Sequence, residues 1–404
     1  MYFFRQQEAF LRQIVQQFPA VLLTGARQVG KSTLLQKVFA DYAYLTLDDP
    51  MLRQQAQTEP YLFIQSCQLP TILDEVQYAP EIFSLIKILL DTKKENGLFL
   101  LSGSQAFELM KNVQETLAGR IAILKLNGLS LREINQDKFS LPFIPDLDYF
   151  NQRNPIINNQ NIWQIIHQGS MPRLYEQKTD WEIYYSSYVA TYIERDIRQM
   201  VNIENTARFS QFMSSIAARS GELLNYSAIS QEVGITIETV KRWLMVLQAS
   251  GIVYLLQPYF NNHLKRAIKT PKIYMTNTGL MAYLTKWLTP ETIQNGAKAG
   301  QFFETFVVNE IIKSFYNNGK EPPIYFYRDT NQKEIDLIIE YGQNIYPIEI
   351  KSTGNPDKKQ ALSFNTLRHI LNNDANIMHG TIICQYPQKI WLKDDLIAIP
   401  YFYI

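Results

Sequence analysis

The stretch that decides the fold reads Ala20-Val-Leu-Leu-Thr24-Gly25-Ala-Arg-Gln-Val-Gly30-Lys31-Ser32. Its first part is a short apolar run of the kind that forms a buried strand. Its second part has two glycines separated by four residues and followed by Lys-Ser, which is the P-loop pattern. The residues from Thr33 to Phe39 then have a helical pattern. We therefore predict a parallel α/β fold with an anion-binding turn between its first strand and first following helix.

The residues of this turn have the chemistry that a phosphate chain requires. Gly25 and Gly30 allow the backbone to wrap so that its N–H groups and the helix N-terminus face the phosphates. We expect Lys31 to reach the β- and γ-phosphates and the Ser32 hydroxyl to ligate Mg²⁺. ATP and Mg²⁺ are therefore the predicted cofactors. The loop residues predicted to contact the nucleotide are Gly25, Ala26, Arg27, Gln28, Val29, Gly30, Lys31, Ser32 and Thr33.

A second apolar run, Thr71-Ile-Leu73, ends in the carboxylates Asp74 and Glu75. We expect Asp74 to hold the water shell of Mg²⁺ and Glu75 to orient and deprotonate the attacking water. A further predicted strand, residues 43–47, lies between this run and the P-loop. Together with Glu75, that spacing resembles the division of P-loop ATPases that has an additional strand and a catalytic glutamate.

Two further positions are candidates for phosphate contacts. The run Leu98-Phe-Leu-Leu101 ends at Ser102-Gly-Ser104, and in AAA-type ATPases a polar side chain at such a strand end senses the γ-phosphate. Ser102 and Ser104 both remain open for that role, and the predicted nucleotide-binding set includes Ser104. Arg120 precedes the fifth predicted strand, where it could act catalytically on a phosphate, including that of a neighbouring subunit in a homo-oligomer. The alternative is an ordinary surface arginine.

The composition excludes several classes of protein. Hydrophobic residues make up 46% and aromatic residues 13% of the 404 residues, which excludes a disordered or fibrous chain. Cys67 and Cys384 fit neither a disulfide framework nor a zinc site. No apolar run reaches the roughly 18 residues that a membrane helix needs, and residues 1–7 lack the order of a signal peptide. We expect a soluble cytoplasmic protein with no membrane partner and roughly two or three domains.

The middle of the chain has a basic bias that the net charge of +1 conceals. Residues 239–290 contain seven basic residues and no acidic residue. The sequence predicts two helices here, at residues 227–233 and 237–249, with Gly234 between them. Residues 252–256 would form the first strand of a wing. A winged-helix unit that makes nonspecific contacts with the DNA backbone is one interpretation. A solvated face without acidic residues is the other.

The C-terminal part combines carboxylates with a lysine. Residues 334–340 alternate in polarity as a strand does, and the strand that returns carries Glu349 and Lys351 on one face. We expect Asp336 on the first strand and Glu304 on a preceding helix to face the same sheet. Converging carboxylates beside a lysine suit metal-assisted phosphodiester cleavage, in which the three carboxylates bind Mg²⁺ and Lys351 positions the attacking water. The alternatives are a salt-bridged surface and a nuclease fold without activity.

With these motifs the chain resembles a widespread prokaryotic family of AAA-type ATPases. Its members join an N-terminal P-loop ATPase to a C-terminal domain of unknown function that resembles the restriction-endonuclease, PD-(D/E)XK, fold. The resemblance covers nearly the whole chain. The motifs that carry it are 25–32, Asp74-Glu75, Gly103-Ser104-Gln105, Leu117-Ala-Gly-Arg120, Tyr192-Ile-Glu-Arg195-Asp196-Ile-Arg198, Ala217-Ala-Arg-Ser-Gly221, Lys265-Arg266, Pro271-Lys-Ile-Tyr274, Gly279-Leu280, 300–304, Tyr327-Arg328-Asp329, Glu334-Ile-Asp336 and Ile348-Glu-Ile-Lys351.

The resemblance bears on two further positions. Gly169-Ser-Met-Pro172-Arg173 resembles the family's glycine-proline segment, which lies near the nucleotide in related ATPases, so Arg173 would act as a second phosphate sensor. Asn277 departs from the family, which usually has an aspartate at this position. The missing charge leaves the role of Asn277 open.

The predicted architecture is a multidomain α/β protein. Residues 1–135 are predicted to form the P-loop ATPase core, with the AAA-type parallel sheet order 5-1-4-3-2 that the resemblance implies. Residues 136–220 would form a helical lid or connection, 221–295 the winged-helix-like unit and 296–404 the nuclease-like α/β domain. The predicted function is ATP binding and hydrolysis that acts on DNA or is gated by it. The alternative is an ATP-dependent signalling or assembly switch with a catalytically inactive C-terminal binding platform.

Overall fold

The computed structural model of the chain describes most of its residues. They are 2–103, 116–155, 160–191, 206–259, 269–329, 332–370 and 376–404. The predicted sensor Ser104 lies outside these ranges, as do the motifs Tyr192-Ile-Glu-Arg195-Asp196-Ile-Arg198 and Lys265-Arg266.

The N-terminal part contains a five-stranded parallel sheet. Its strands are β1 (Ala20–Thr24), β2 (Ala43–Thr46), β3 (Thr71–Asp74), β4 (Phe99–Ser102) and β5 (Ile121–Lys125). They lie in the order β2-β3-β4-β1-β5, so the predicted order is confirmed. The carboxyl ends of parallel strands share one edge of the sheet, which is where ligands of such sheets bind. The P-loop, Asp74 and Ser102 therefore meet at that edge.

Helices cover both faces of this sheet. They are α1 (Gln7–Val15), α2 (Lys31–Val38), α3 (Pro50–Thr58), α4 (Pro60–Ser66) and α5 (Ile82–Lys93). Successive side chains of a strand alternate, so Val21 and Leu23 of β1 pack into one hydrophobic cluster and Ala20 and Leu22 into another. All five residues of β1 are buried, which is typical of a central parallel strand.

The middle of the chain is helical, as predicted. Its helices are α6 (Leu131–Ile134), α7 (Leu147–Gln152), α8 (Ile162–Gln168), α9 (Arg173–Glu176), α10 (Trp181–Tyr188), α11 (Thr206–Ala218), α12 (Tyr226–Val233), α13 (Ile237–Ala249), α14 (Thr278–Leu284) and α15 (Pro290–Asn295). Gly234 ends α12 with a φ of 70°, and Thr236 caps α13. After α13, β6 (Val253–Leu256) pairs in antiparallel orientation with β7 (Lys272–Met275).

The C-terminal part contains a seven-stranded mixed sheet. Its strands are β8 (Ile324–Arg328), β9 (Glu334–Tyr341), β10 (Asn344–Ile350), β11 (Asn376–Ile377), β12 (Gly380–Cys384), β13 (Ile390–Lys393) and β14 (Leu396–Pro400), and its helices are α16 (Ala299–Tyr316) and α17 (Ser363–Ile370). The strand order is β13-β14-β12-β10-β9-β8, with β11 beside β10. The predicted hairpin is formed by β9 and β10, which place Leu337 opposite Ile348.

Helix α16 joins the C-terminal part to the rest of the molecule. Fourteen of its 18 residues are buried. One hydrophobic cluster contains Val21 of β1, Leu244 of α13, Phe306 of α16 and Ile350 of β10, so all three parts of the chain pack on a continuous core. Among the residues that the structure describes, no helix is both long enough and apolar enough to cross a lipid bilayer.

Candidate nucleotide-binding site

The P-loop turns at residues with positive φ angles. The φ angle is 143° at Gly25, 62° at Gln28 and 96° at Gly30. A Cβ atom at Gly25 would lie 2.1 Å from the carbonyl oxygen of Leu126, so only glycine fits there. Gly30 is the N-cap of α2. The loop therefore ends on a helix N-terminus, where unpaired N–H groups and the helix dipole favour an anion.

Lys31 is buried at the first position of α2. Its Nζ donates hydrogen bonds to the carbonyl oxygens of Gly25 (3.0 Å) and Ala26 (2.9 Å). Burial lowers the pKa of Lys31 to about 8, and the charges of Glu75 and Asp74 partly oppose this shift. The ammonium group is thus held inside the loop by carbonyl oxygens that a bound phosphate could replace.

Asp74 is buried at the end of β3, and both of its carboxylate oxygens are engaged. Oδ2 accepts a hydrogen bond from the Tyr44 hydroxyl (2.8 Å), and Oδ1 accepts one from the Ser102 hydroxyl. Burial and the charge of Asp74 raise the pKa of Tyr44 to about 12, so its hydroxyl stays a donor. Of the two serines proposed for phosphate sensing, Ser102 is therefore engaged with Asp74. Tyr44, on the edge strand β2, was missed by the sequence analysis.

Glu75 follows Asp74 with a φ angle of 57°, which is uncommon for a residue with a side chain. Its Oε2 accepts a hydrogen bond from the side-chain amide of Gln77. Glu75 and Lys31 border the same cleft. Backbone strain of this kind is concentrated at functional sites, and here it turns the chain at the end of β3 beside the P-loop.

A cleft with a volume of about 250 Å³ opens over the P-loop. Arg173, predicted as a second phosphate sensor, borders it, and so do Tyr2, Phe3 and Arg5 of the N-terminal segment. These three residues were not predicted, because a short segment before the first helix carries no motif. The other residues that border the cleft are Gln28, Gly30, Lys31, Ser32, Thr33, Glu75, Leu129, Pro172 and Glu176.

Arg120 does not reach this cleft in its own chain. It precedes β5 and therefore lies at the amino ends of the strands, on the opposite edge of the sheet from the P-loop. The five residues of β5 alone span roughly 16 Å. Its guanidinium group pairs with both carboxylate oxygens of Asp91, at 2.5 and 3.0 Å. The prediction that Arg120 contacts a phosphate bound to its own chain is therefore wrong. A role of Arg120 toward a neighbouring subunit stays a prediction.

A second group of predicted residues comes together in the C-terminal sheet. The Nζ atom of Lys351 lies 2.8 Å from Oδ2 of Asp336 and 2.6 Å from Oε2 of Glu349. The N–H group of Ile350 donates to Oδ2 of Asp336 (2.8 Å), and the Ser363 hydroxyl donates to Oε1 of Glu349 (2.9 Å). Burial and the charge of Asp336 raise the pKa of Glu349 to about 8. The structure thus places one ammonium group between two carboxylates.

Glu304 of α16 adjoins this group but bonds to different partners. Its Oε1 accepts hydrogen bonds from the Tyr274 hydroxyl (2.6 Å) and from Nζ of Lys272 (3.4 Å). Lys272 also pairs with Glu334 at 2.5 Å. Within the described ranges, no three or more histidine, cysteine or carboxylate side chains are grouped so as to hold a metal ion. Glu304 therefore does not form a group of three with Asp336 and Glu349, because it bonds to Lys272 and Tyr274 instead. Mg²⁺ binding by Asp336 and Glu349 stays a prediction.

Three family models match successive parts of the chain. An AAA domain matches residues 17–135. This is the part that contains the parallel sheet, the P-loop and Asp74-Glu75. Residues 17–135 are therefore similar to AAA domains in sequence, and they contain the P-loop and the parallel sheet described above. Two domains of unknown function match the remainder: DUF8612 matches residues 159–291 and DUF4143 matches residues 299–404.

The chain is also similar to known proteins as a whole. Two uncharacterized proteins, of Mycobacterium bovis and Mycobacterium tuberculosis, are each 25% identical to it over 399 residues, which is 98% of this chain and 83% of each relative. Among solved structures, a Walker-type ATPase of Pyrococcus abyssi is 14% identical, with 69% of this chain and 94% of that chain covered and a TM-score of 0.45. The similarity to the mycobacterial proteins spans the AAA domain and both domains of unknown function.

The hydrogen bond from Tyr44 to Asp74 can be removed with Tyr44→Phe. If Asp74 holds the water shell of Mg²⁺, the Mg²⁺ concentration at half-maximal ATP turnover should rise roughly threefold to tenfold, because the carboxylate loses one of its two donors. The rate of ATP turnover at saturating Mg²⁺ should stay within about twofold of that of the unmodified chain. Mg²⁺ titrations of phosphate release measure both quantities. Tyr61→Phe, at an exposed position of α4, is the control, and equal Mg²⁺ dependence in both variants would contradict this role of Tyr44.

The lowered pKa of Lys31 predicts a pH dependence of nucleotide binding. Above about pH 8 the ligand-free protein loses the charge of Lys31, whereas the negative phosphates of a bound nucleotide favour the charged form. Binding then takes up a proton, so the affinity for ATP should fall roughly fivefold between about pH 8 and pH 9. Calorimetry in two buffers of different ionisation enthalpy measures the uptake. Lys37→Met, on the exposed side of α2, should leave the proton uptake unchanged. An affinity for ATP that stays constant up to about pH 10 would refute this prediction.

Proposed function

We propose that the chain binds ATP together with Mg²⁺ in the cleft over the P-loop and hydrolyses it. The observation that supports this most strongly is the gathering of complementary groups around one space: a buried lysine, a helix N-terminus, two carboxylates and an arginine. Phosphoryl transfer depends on such fixed charges around the phosphates and on a base beside them. Lys31, the N-terminus of α2, Glu75 and Arg173 border the cleft. Asp74 does not border it, but lies close enough for its charge to oppose the lowering of the pKa of Lys31 by burial.

Phosphate binding is assigned to the loop backbone and to Lys31. The free N–H groups of the first turn of α2 attract negative charge, and Ser32 and Thr33 lie in that turn. Lys31 would exchange the carbonyl oxygens of Gly25 and Ala26 for phosphate oxygens, which carry more negative charge. Because Lys31 is already desolvated, little further desolvation is required at that step.

Water activation is assigned to Glu75. Its carboxylate would accept the proton of the attacking water, while the amide of Gln77 fixes its orientation. Arg173 borders the same cleft, where its guanidinium would stabilise the negative charge on the phosphate during transfer. A base and an arginine around one phosphate position account for hydrolysis as well as binding.

Ser32 and Asp74 fit a Mg²⁺ ion, because hydroxyl and carboxylate oxygens are the ligands that this ion prefers. When bound, Mg²⁺ neutralises phosphate charge and polarises the bond that breaks. The contribution of this chain is orientation. Tyr44 and Ser102 hold the carboxylate of Asp74 in one plane before any ligand arrives.

Lys31→Ala tests the proposal directly. Loss of the buried ammonium group should abolish detectable ATP binding in calorimetry and with it ATP turnover. Glu75→Gln should bind ATP with an affinity within about threefold of that of the unmodified chain but hydrolyse it at least about a hundredfold more slowly, because only the base is lost. Lys37→Ala removes an exposed lysine from the same helix and serves as the control. ATP turnover that survives in Lys31→Ala would overturn the assignment of the cleft.

We propose, second, that nucleic acid gates this ATPase. The supporting observation is the exposed pair Lys241 and Arg242 on α13, within a stretch, residues 239–290, that contains no acidic residue. Side chains of this kind suit nonspecific contacts with a phosphate backbone. Helix α13 packs in the same continuous core as the P-loop domain, so a ligand on its exposed side could affect the cleft.

The C-terminal domain is proposed to be a binding platform and not a working nuclease. Asp336, Glu349 and Lys351 have the residue types that phosphodiester cleavage uses, but the lysine fills the space between the two carboxylates. A Mg²⁺ ion between Asp336 and Glu349 would require Lys351 to move out of the space between them. Such a cluster favours a binding platform over a working nuclease.

ATP turnover with and without duplex DNA tests this second proposal. DNA should raise turnover at least about threefold, and the double change Lys241→Glu with Arg242→Glu should abolish the increase because it reverses the local charge. The pair Lys93→Glu with Lys94→Glu, at the exposed end of α5, is the control. Turnover that does not respond to DNA would favour the alternative, an ATP-driven assembly switch in which Arg120 meets a neighbouring subunit. Mg²⁺-dependent cleavage that disappears in Asp336→Asn would show instead that the nuclease interpretation is correct.

A further inference from the structure

We propose that Arg5 is a positioning residue for the phosphate loop. It fixes the end of the loop through the carbonyl oxygen of Val29. This inference rests on the nucleotide binding proposed above and identifies a residue outside the loop on which that binding depends.

The guanidinium group of Arg5 is buried, 3% exposed, and each of its three nitrogens has a partner. Nη1 donates to the carbonyl oxygen of Val29 (2.7 Å) and Nη2 to that of Asn127 (2.6 Å). Nε pairs with Oε1 of Glu133 (3.0 Å). Three of its five N–H donors are thus engaged with groups of or beside the loop, and the role of Arg5 is assigned to these contacts.

The bond to Val29 determines the orientation of the peptide that joins Val29 to Gly30. A trans peptide carries its carbonyl and its N–H on opposite sides of one plane. Anchoring the Val29 carbonyl on Arg5 therefore also fixes the direction of the Gly30 N–H group. A P-loop binds phosphates through such N–H groups, so their direction must be set before the nucleotide arrives. Glycine at position 30 can adopt many backbone conformations, so a contact from outside the loop is needed to fix this peptide.

The bonds to Asn127 and Glu133 tie this anchor to the segment after β5. The same segment supports the other end of the loop, where Gly25 lies against the carbonyl of Leu126. Arg5 thus completes a two-point attachment of the P-loop, one point at Gly25 and one at Val29. A loop held at both ends keeps its shape when it is empty.

Glu133 in turn holds the guanidinium group in place. Its Oε1 also accepts the N–H of Gln6 (2.9 Å), and its Oε2 accepts the N–H of Ser130 (2.8 Å). The carboxylate is fully buried and is fixed by donors on both oxygens. The position of Arg5 is therefore determined by backbone groups of two segments and not by a mobile side chain.

A lysine at position 5 would retain the charge but not the geometry. The guanidinium group is a planar fork that reaches three acceptors at once, whereas an ammonium group is a single point on a flexible chain. Arg5→Lys should therefore keep the ion pair with Glu133 and lose the simultaneous contacts to Val29 and Asn127.

The test measures phosphate binding with inorganic tripolyphosphate, which displaces a fluorescent ATP analogue from the full chain. Arg5→Lys should lower the affinities for tripolyphosphate and for ATP by the same factor, roughly tenfold, since the defect lies in the phosphate loop. Arg12→Lys, at an exposed position of α1, should change neither by more than about twofold. Equal binding by Arg5→Lys and Arg12→Lys would overturn the inference. A failure of the unmodified chain to bind either probe would count against the proposed function instead.

Two further variants separate positioning from general stabilisation. Glu133→Gln removes the charge of the buried ion pair, but its amide oxygen can still accept hydrogen bonds from Nε of Arg5 and from the N–H of Gln6. Arg5 then keeps both of its carbonyl contacts, so this variant should lower the unfolding temperature while changing tripolyphosphate binding less than about threefold. Binding that weakens as much in Glu133→Gln as in Arg5→Lys would mean that Arg5 only stabilises the fold. If Arg5→Lys does not fold, the pair Arg5→Gln with Glu133→Gln leaves no unpaired charge buried and must show the same roughly tenfold loss.

Discussion

Backbone packs directly on backbone where the phosphate loop meets the segment after β5. The carbonyl of Leu126 occupies the place that a side chain at Gly25 would need, and Ser170 does the same at Gly128. The P-loop, the segment after β5 and the glycine-proline turn therefore pack closely as one block, with only the small side chain and the carbonyl of Ser170 against Gly128. Helix α16 supports that block, since Glu310 accepts the N–H of Leu131 (2.6 Å) and Lys313 donates to the carbonyl of Leu129 (2.9 Å). The shape of the cleft over the P-loop thus depends on a helix of the C-terminal part.

The sequence predicts those features of the site whose cause is local. The strand, the glycine turn and the helix around Lys31 are encoded by neighbouring residues, and so are the carboxylates that end β3. Tyr44 and Arg5 could not be found in this way, because each acts through contacts with residues far along the chain: 30 positions for Tyr44 and up to 128 for Arg5. A tyrosine on an edge strand and an arginine before a helix have no distinctive pattern. Their roles exist only after the sheet has formed.

The C-terminal cluster likewise combines features that the sequence predicts with features that it does not. The approach of Asp336 to Glu349 follows from the pairing of β9 with β10, which the alternation of the sequence predicts. The ion pairs of Lys272 with Glu304 and Glu334 do not follow from this alternation, because Lys272 lies on β7, in the middle of the chain. Buried carboxylates need a nearby positive charge, and this lysine supplies it. Asn277 is a further example: its Oδ1 caps α14 through Gly279 and Leu280, a role that requires an acceptor oxygen but no charge.

The position of α16 constrains how the parts of the molecule can work together. Glu304 and Glu310 lie on this one buried helix, six residues and about 9 Å apart. The first accepts hydrogen bonds from Lys272 and Tyr274 beside the C-terminal cluster, and the second holds the segment that supports the P-loop. One rigid helix is therefore hydrogen-bonded both to the segment that supports the P-loop and to the surroundings of the C-terminal cluster. The two regions are thus joined by packed secondary structure and not by a flexible linker.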